Sequence, residues 1–191
     1  MPHTRSVSLI DIQNGVGGFV GQIYTATTNK IITNTTAATS VFSTSSVGTL
    51  MFAPNLMTHG KLIRLKGAGV YSTPLTPGSA QLVLALGGST IASLVTSSFL
   101  NSASNSGFVF ESHILCETSG SSGKFSTAGN INYQGQLGLN TVRSFDDLDA
   151  DGIATTINTT TSLLLELTAA WDTADTAKVA NIVFSSVEVL N

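Results

Sequence analysis

The sequence predicts an all-β protein: a two-sheet antiparallel β-sandwich with jelly-roll topology and an extended N-terminal arm. Three observations predict it. Apolar and polar residues alternate with a period of two in run after run, and the runs are short and bounded by Gly, Pro, Ser and Asn. No stretch carries the 3.6-residue period of an amphipathic helix. No repeat of fixed length recurs, which argues against a propeller or a solenoid. At 191 residues the chain suits one sandwich domain with a sizeable core.

The first twenty residues hold two apolar patches, Val7–Ile12 and Val16–Val20, around Asn14-Gly15. Gly15 and Gly17 lack the third glycine and the following helix of a dinucleotide fingerprint. Residues 1–20 therefore read as an arm for anchoring or subunit contact, and residues 21–191 as the sandwich. Gln22–Thr27 fits a strand. Thr28–Ser46 is nearly all Thr, Ser, Asn and Ala, with Ser40–Ser43 its best strand.

Gly48 to Gly88 is the most informative stretch. In Lys61–Lys66 the alternation sets Leu62, Arg64 and Lys66 against Ile63 and Leu65. Gly67 and Gly69 interrupt it, as glycines do at a bulge or where another group approaches the backbone closely. Val70 and Tyr71 continue the strand until Pro74 and Pro77-Gly78 close it. Ala80–Leu86 is apolar on both faces apart from Gln81, which suits a central strand under a second sheet.

Thr90–Ser97 is a further strand and Ser98–Gly107 a polar loop. Gly107–Glu117 alternates, with Phe108, Phe110, Ser112, Ile114 and Cys116 on one face. Thr118–Gly123 is a turn. Lys124–Gln134 and a piece near Leu137–Ser144 form a hairpin or meander, and Phe145–Gly152 is an acidic loop. Ser162–Trp171 is a strong strand. Ala177–Leu190 returns, with Val179, Asn181, Val183, Ser185, Val187 and Val189 set against Ala180, Ile182, Phe184 and Ser186.

Composition narrows the function. Charged residues are 10% of the chain, against about 25% in an ordinary globular protein. The polar surface is therefore hydroxyl-rich, which weakens the usual barrier to self-association and predicts surfaces covered by partner subunits. The net charge is −3 with 8 Lys and Arg and no basic stripe, which predicts no nucleic-acid partner. No apolar run is long enough to cross a membrane as a helix, and the first residues lack the pattern of a signal peptide. Cys116, the lone cysteine, excludes an intrachain disulfide and reads as a buried thiol between apolar neighbours.

Few motifs carry chemistry. Asp147, Asp149 and Asp151, followed by Gly152, have the D-x-D-x-D-G start of a calcium loop, in which alternate carboxylates converge on a hard cation. The twelfth position is Asn158 where the closing bidentate Glu belongs, so a solvated acidic turn competes with the calcium reading. His3, His59 and His113 have no metal spacing. Ser121 to Lys124 formally matches S-x-x-K without the helix that motif needs. Glu111 with Glu117, or Asp146 with Asp147, are carboxylate pairs that only folding could bring together. Trp171, Tyr71 and Tyr133 are either a sugar-stacking patch or core residues. No catalytic residue and no cofactor is predicted beyond the calcium loop.

The segment from Gly48 to Leu65, GTLMFAPNLMTHGKLIRL, followed by Gly67, Gly69 and Tyr71-Ser72, resembles jelly-roll structural proteins of tailed bacteriophage virions. The later strands Leu82–Gly87, Phe108–Cys116 and Leu163–Trp171 and the ending Val187–Leu190 extend the resemblance over roughly residues 40–190. It points to the class of head decoration proteins, head fibres and tail-associated proteins. It implies a TNF-like jelly roll, often trimeric, sitting on the virion surface against the major capsid protein or other virion proteins. It implies no catalytic residues. The alternative is a carbohydrate- or receptor-binding head that uses loops such as Ser98–Gly107 and Ser119–Gly123.

Overall fold

The computed structural model describes residues 21–96, 99–135, 140–144, 146–147 and 156–190. They form fifteen strands and no helix. In chain order these are β1 (Gly21–Ala26), β2 (Lys30–Thr33), β3 (Thr39–Ser40), β4 (Ser46–Gly48), β5 (Met51–Phe52), β6 (Leu62–Ser72), β7 (Ala80–Leu86) and β8 (Ser89–Thr96). They continue as β9 (Ser106–Thr118), β10 (Gly123–Gln134), β11 (Asn140–Ser144), β12 (Asp146–Asp147), β13 (Thr156–Ile157), β14 (Leu163–Trp171) and β15 (Val179–Leu190). The arm expected over residues 1–20 lies outside the described residues.

Two antiparallel sheets pack face to face. The larger runs β11-β10-β9-β6-β15-β1-β4, with β13 on β10 and β2 on β15. The smaller runs β12-β8-β7-β14-β3, with β5 also on β14. The expected jelly-roll wrap lies at the centre. β6 pairs with β15 in one sheet, and the strands that adjoin them in sequence, β7 and β14, pair with each other in the opposite sheet. Two hairpins, β7–β8 and β9–β10, add strands within a sheet. The first turns through Gly87 and Gly88, both at positive φ, as a two-residue hairpin requires.

The predicted strands are present where alternation was strongest. The inward side chains of β6 are Ile63, Leu65 and Tyr71, and those of β9 include Phe110, Ile114 and Cys116. They face Leu82, Leu84 and Leu86 of β7 and Leu163, Leu165, Leu167 and Trp171 of β14, all buried. Weaker runs came out shorter. The stretch from Thr49 to Gly60 forms only the two-residue β5, after which Leu56 and Met57 are buried from a loop. Pro54-Asn55 makes the turn there. Asn55 has φ 61°, and the Leu56 N–H donates to the Ala53 carbonyl at 3.2 Å, a type II turn.

Gly67 and Gly69 sit on the inward face of β6, where a side chain would ordinarily point into the core. A Cβ on Gly67 would fall 2.3 Å from the Phe110 ring, and one on Gly69 would fall 2.3 Å from the Asn181 carbonyl oxygen and 2.7 Å from the Phe108 ring. The glycines are thus seats for two β9 phenylalanines, the close approach their spacing suggested.

One expectation is corrected. Register slips between Ile182 and Phe184, so Val183 is the extra residue of a β-bulge. Up to Ile182 the inward set is Ala180 and Ile182. After the bulge it is Ser185, Val187 and Val189, opposite Gly67, Leu65 and Ile63. Phe184, expected on the same face as Ile182, points outward and is 39% exposed.

Gly69→Ala should destabilise the fold by about 2–3 kcal/mol, because its new methyl meets a backbone oxygen that cannot yield. Val70→Thr, on the outward face next to it, should cost less than about 1 kcal/mol. Urea unfolding of both variants measures the difference.

Candidate functional site

The residues singled out in the sequence do not converge. Asp147 falls in β12, whose backbone pairs with β8, while Asp149 and Asp151 lie outside the described residues, as does His3. No group of three or more His, Cys, Asp or Glu gathers among the described residues. Glu111 and Glu117 share the outward face of β9 six positions apart, about 20 Å along the strand. His59 is exposed beside the Glu117 carbonyl, and His113 Nε2 lies 3.4 Å from Glu111 on the outer sheet face. Ser121 to Lys124 runs from the β9–β10 turn into β10 with no helix.

Cys116 is fully buried, and burial pushes its thiol pKa up, which suppresses thiolate chemistry. Trp171, Tyr71 and Tyr133 are core residues, clustered around Phe99 with ring centroids 5.0–5.5 Å from it. They border an almost wholly apolar cavity of about 60 Å³. Of the two readings of these rings the structure bears out the core one: all three are buried and none forms a surface patch for stacking on a sugar. The two loops considered for binding also part company. They flank β9 at its two ends, about 40 Å apart, so they cannot form one site.

The structure instead gathers polar groups on the outer face of the larger sheet. Cross-strand register arranges them in rows. One row carries His113, Arg64, Glu188 and Gln22, and the next carries Asn130, Glu111, Lys66 and Ser186. A third carries Val142, Asn132, Val109, Ala68 and Phe184. Arg64 binds Glu188 through both Nε (2.9 Å to Oε2) and Nη2, and Lys66 Nζ lies 3.2 Å from Glu188 Oε1. Burial opposes ionisation of Glu188, but the hydrogen bonds and charges of Arg64 and Lys66 outweigh it and hold the carboxyl below its ordinary value.

Two adjoining depressions cross this face. One, about 240 Å³, is lined by Lys66, Gly67, Val109, Phe110, Glu111, Asn130 and Phe184. The other, about 470 Å³, includes Ala68, Gly107, Val109, Asn132, Gln134 and Asn140. Val109, half exposed, is the ridge they share. The amides of Asn130, Asn132, Gln134 and Asn140 make no hydrogen bond among the described residues. The alternation of Asn130, Asn132 and Gln134 with Ile131 and Tyr133 was visible in the sequence as a signal. The bulge that adds Phe184 was not.

A second polar device clasps one end of the sandwich. Lys178, only 2% exposed, places Nζ 2.5 Å from Asp172 Oδ1 and 2.6 Å from Thr173 Oγ1. Asp172 Oδ2 accepts the Ser79 N–H at 2.8 Å, which ties the β14–β15 loop to the β6–β7 loop. Gly78, at φ +70°, leaves the room: a Cβ there would meet the carboxylate at 2.2 Å. Burial raises the Asp172 pKa, but the hydrogen bonds from Lys178 and Ser79 and the Lys178 charge overcome this and lower it overall.

No protein-family model matches the chain, and no curated protein does. Among solved structures it is similar to the metal-free form of lectin I-B4 from Griffonia simplicifolia, with 9% identity, 91% of this chain and 93% of that chain covered, and a TM-score of 0.39. It is similar too to the CBM2 module of the evolved Dit of Lactobacillus casei BL23 phage J-1, at 9% identity, 88% and 95% coverage and a TM-score of 0.31. An alginate lyase from Klebsiella pneumoniae follows at 9% identity, 69% and 59% coverage and a TM-score of 0.27. At these TM-scores the likenesses assign nothing to this chain.

Because the folded-state pKa values of Asp172 and Glu188 are lowered, their stabilisation is present above their unfolded values and is lost as pH falls through the folded ones. Thermal melting should therefore show a steep loss of stability below about pH 4. Asp172→Asn and Glu188→Gln should each make that loss shallower. At pH 7, Asp172→Ala should cost about 3 kcal/mol, the low end for stranding a buried ammonium, since Asp172 is itself about one-third exposed.

Proposed function

We propose that this chain is a non-enzymatic structural protein of a bacteriophage particle. It decorates the particle surface as a homotrimer, with residues 1–20 as the arm that anchors it to the major capsid protein or to a neighbouring copy. The observation that carries this reading is the outer face of the smaller sheet. The outward positions of β7, β8 and β14 are Gln81, Val83, Ala85, Thr90, Ser93, Val95, Leu164, Glu166, Thr168 and Ala170. Glu166 is the one charge among them, and Val95 is 57% exposed.

A flat, nearly uncharged sheet face costs little to desolvate, and each burial of it repays in apolar area. The three strands make it roughly 25 Å long and about 15 Å across, on the order of 400 Å². That is less than the roughly 800 Å² per partner of a standard interface. Contacts of this size hold when they are repeated around a trimer and over a particle, where avidity multiplies them. A second reading, a carbohydrate- or receptor-binding head on a tail or fibre, is favoured by the unpaired amides on the larger sheet.

Light scattering should return a mass about three times 19.7 kDa. Val95→Lys combined with Thr168→Lys should reduce it to the monomer while leaving the melting curve in place. Deleting residues 1–20 should abolish particle binding with the sandwich still folded. Full decoration by the truncated protein would overturn the role of the arm. A trimer that dissociates with chelator would make the Asp147–Asp151 loop an interface element.

A further inference from the structure

We propose that the paired depressions on the outer face of the larger sheet are a binding groove for an uncharged saccharide chain, contacted by the amides of Asn130, Asn132 and Gln134 and by the ring of Phe184. The assignment rests on the second reading above and is independent of the decoration role.

The chemistry of the lining selects this ligand class. Among the described residues the groove's amides make no side-chain hydrogen bond, and each can donate and accept, as pairing with vicinal hydroxyls requires. Asn130, Asn132 and Gln134 point the same way at every second position of β10, about 6.7 Å apart, so they form a ladder. The charges around the groove balance. Arg64 and Lys66 share Glu188, with Lys66 Nζ at 3.2 Å, and Glu111 sits opposite Lys66 on the next strand. A sulfated, sialylated or phosphorylated ligand would therefore meet no net positive charge among these residues.

The floor is apolar and shallow. Ala68 and Gly107 keep the floor low, Val109 forms the ridge between the two depressions, and Phe184 stands exposed at one end. An exposed ring beside hydrogen-bonding amides suits a pyranose, whose C–H face packs on the aromatic while its rim of hydroxyls meets the amides. A lipid would waste the amides. An extended peptide adds to a sheet edge, but the amide ladder and Phe184 lie on β10 and β15, whose backbones are paired on both sides, and of the described lining residues Asn140 alone comes from the outermost strand, β11. The bulge at Val183 supplies this ring: unbroken alternation from Ile182 would have turned Phe184 into the core.

The test uses the full chain on a printed array of neutral, sialylated and sulfated glycans, followed by titration calorimetry with the strongest neutral oligosaccharide. Binding to neutral glycans, unchanged at raised ionic strength, is expected. Asn130→Ala with Asn132→Ala should weaken it at least about tenfold, two hydrogen bonds' worth. Phe184→Ala should weaken it severalfold. Gln81→Ala with Thr168→Ala on the opposite sheet should leave it unchanged. All these positions are at the surface, and unaltered melting curves will show that the fold is kept. Retention of no neutral glycan, retention of anionic glycans alone, or full affinity in both groove variants would each overturn the proposal. So would capture of peptide in preference to sugar. Particle decoration measured with the same groove variants should be undiminished. Loss of decoration with glycan binding intact would fault the particle role instead.

Discussion

The pairing of β6 with β15 is the constraint on which the rest of the sandwich depends. It runs from Leu62 opposite Leu190 to Ser72 opposite Val179, and it joins residues more than a hundred positions apart. β9 and then β10 add to one side of it and β1 to the other. Because β7 follows β6 and β14 precedes β15, the same pairing brings β7 and β14 together in the opposite sheet. Its fit rests on two glycines: Gly67 and Gly69 make room for Phe110 and Phe108, so the rings of β9 pack over the backbone of β6.

The bulge at Val183 lets one strand serve two environments. Before it, Ala180 and Ile182 face the aromatic end of the core. After it, Val187 and Val189 face Leu65 and Ile63. The extra residue absorbs a half-period, and the side chain it releases, Phe184, becomes part of the outer surface. A core requirement and a surface feature thus come from one irregularity, as is common where bulges re-aim side chains.

With charges so few, their placement matters. On the outer face of the larger sheet Arg64 and Lys66 share Glu188, with Glu111 opposite Lys66 on the next strand, and Lys178 is paired with Asp172 at one end. What remains exposed is largely hydroxyl, amide and scattered apolar surface. A surface of that kind has little long-range electrostatic character, so its partners are chosen by contact and shape more than by steering. This is compatible with a protein held in place by many repeated neighbours and with a groove for an uncharged chain.

Much of the fold was legible in the residues. Alternation located β6, β9 and β14 and divided their residues between two faces, because the period of two is a local consequence of the pleat, and β7 and β10 were located as strands without an inward face. Pro74 and Pro77-Gly78 marked the end of β6 for the equally local reason that their φ values are restricted or released. The candidate site was legible only in part. Asn130, Asn132 and Gln134 were visible as alternate positions of one strand, but nothing local said that Glu111, Lys66 and Phe184 would lie beside them. Trp171, Tyr71 and Tyr133 looked as fit for a surface as for a core until packing around Phe99 decided it. Register, the bulge that turns Phe184 outward, and the separation of the two candidate loops to opposite ends of β9 are set by contacts between segments far apart in sequence. The sequence by itself determined which residues could form strands and, where they alternate, which of them share a face. Only the tertiary structure decided which strands meet, because that choice balances loop closure, core volume and the room at Gly67 and Gly69 together.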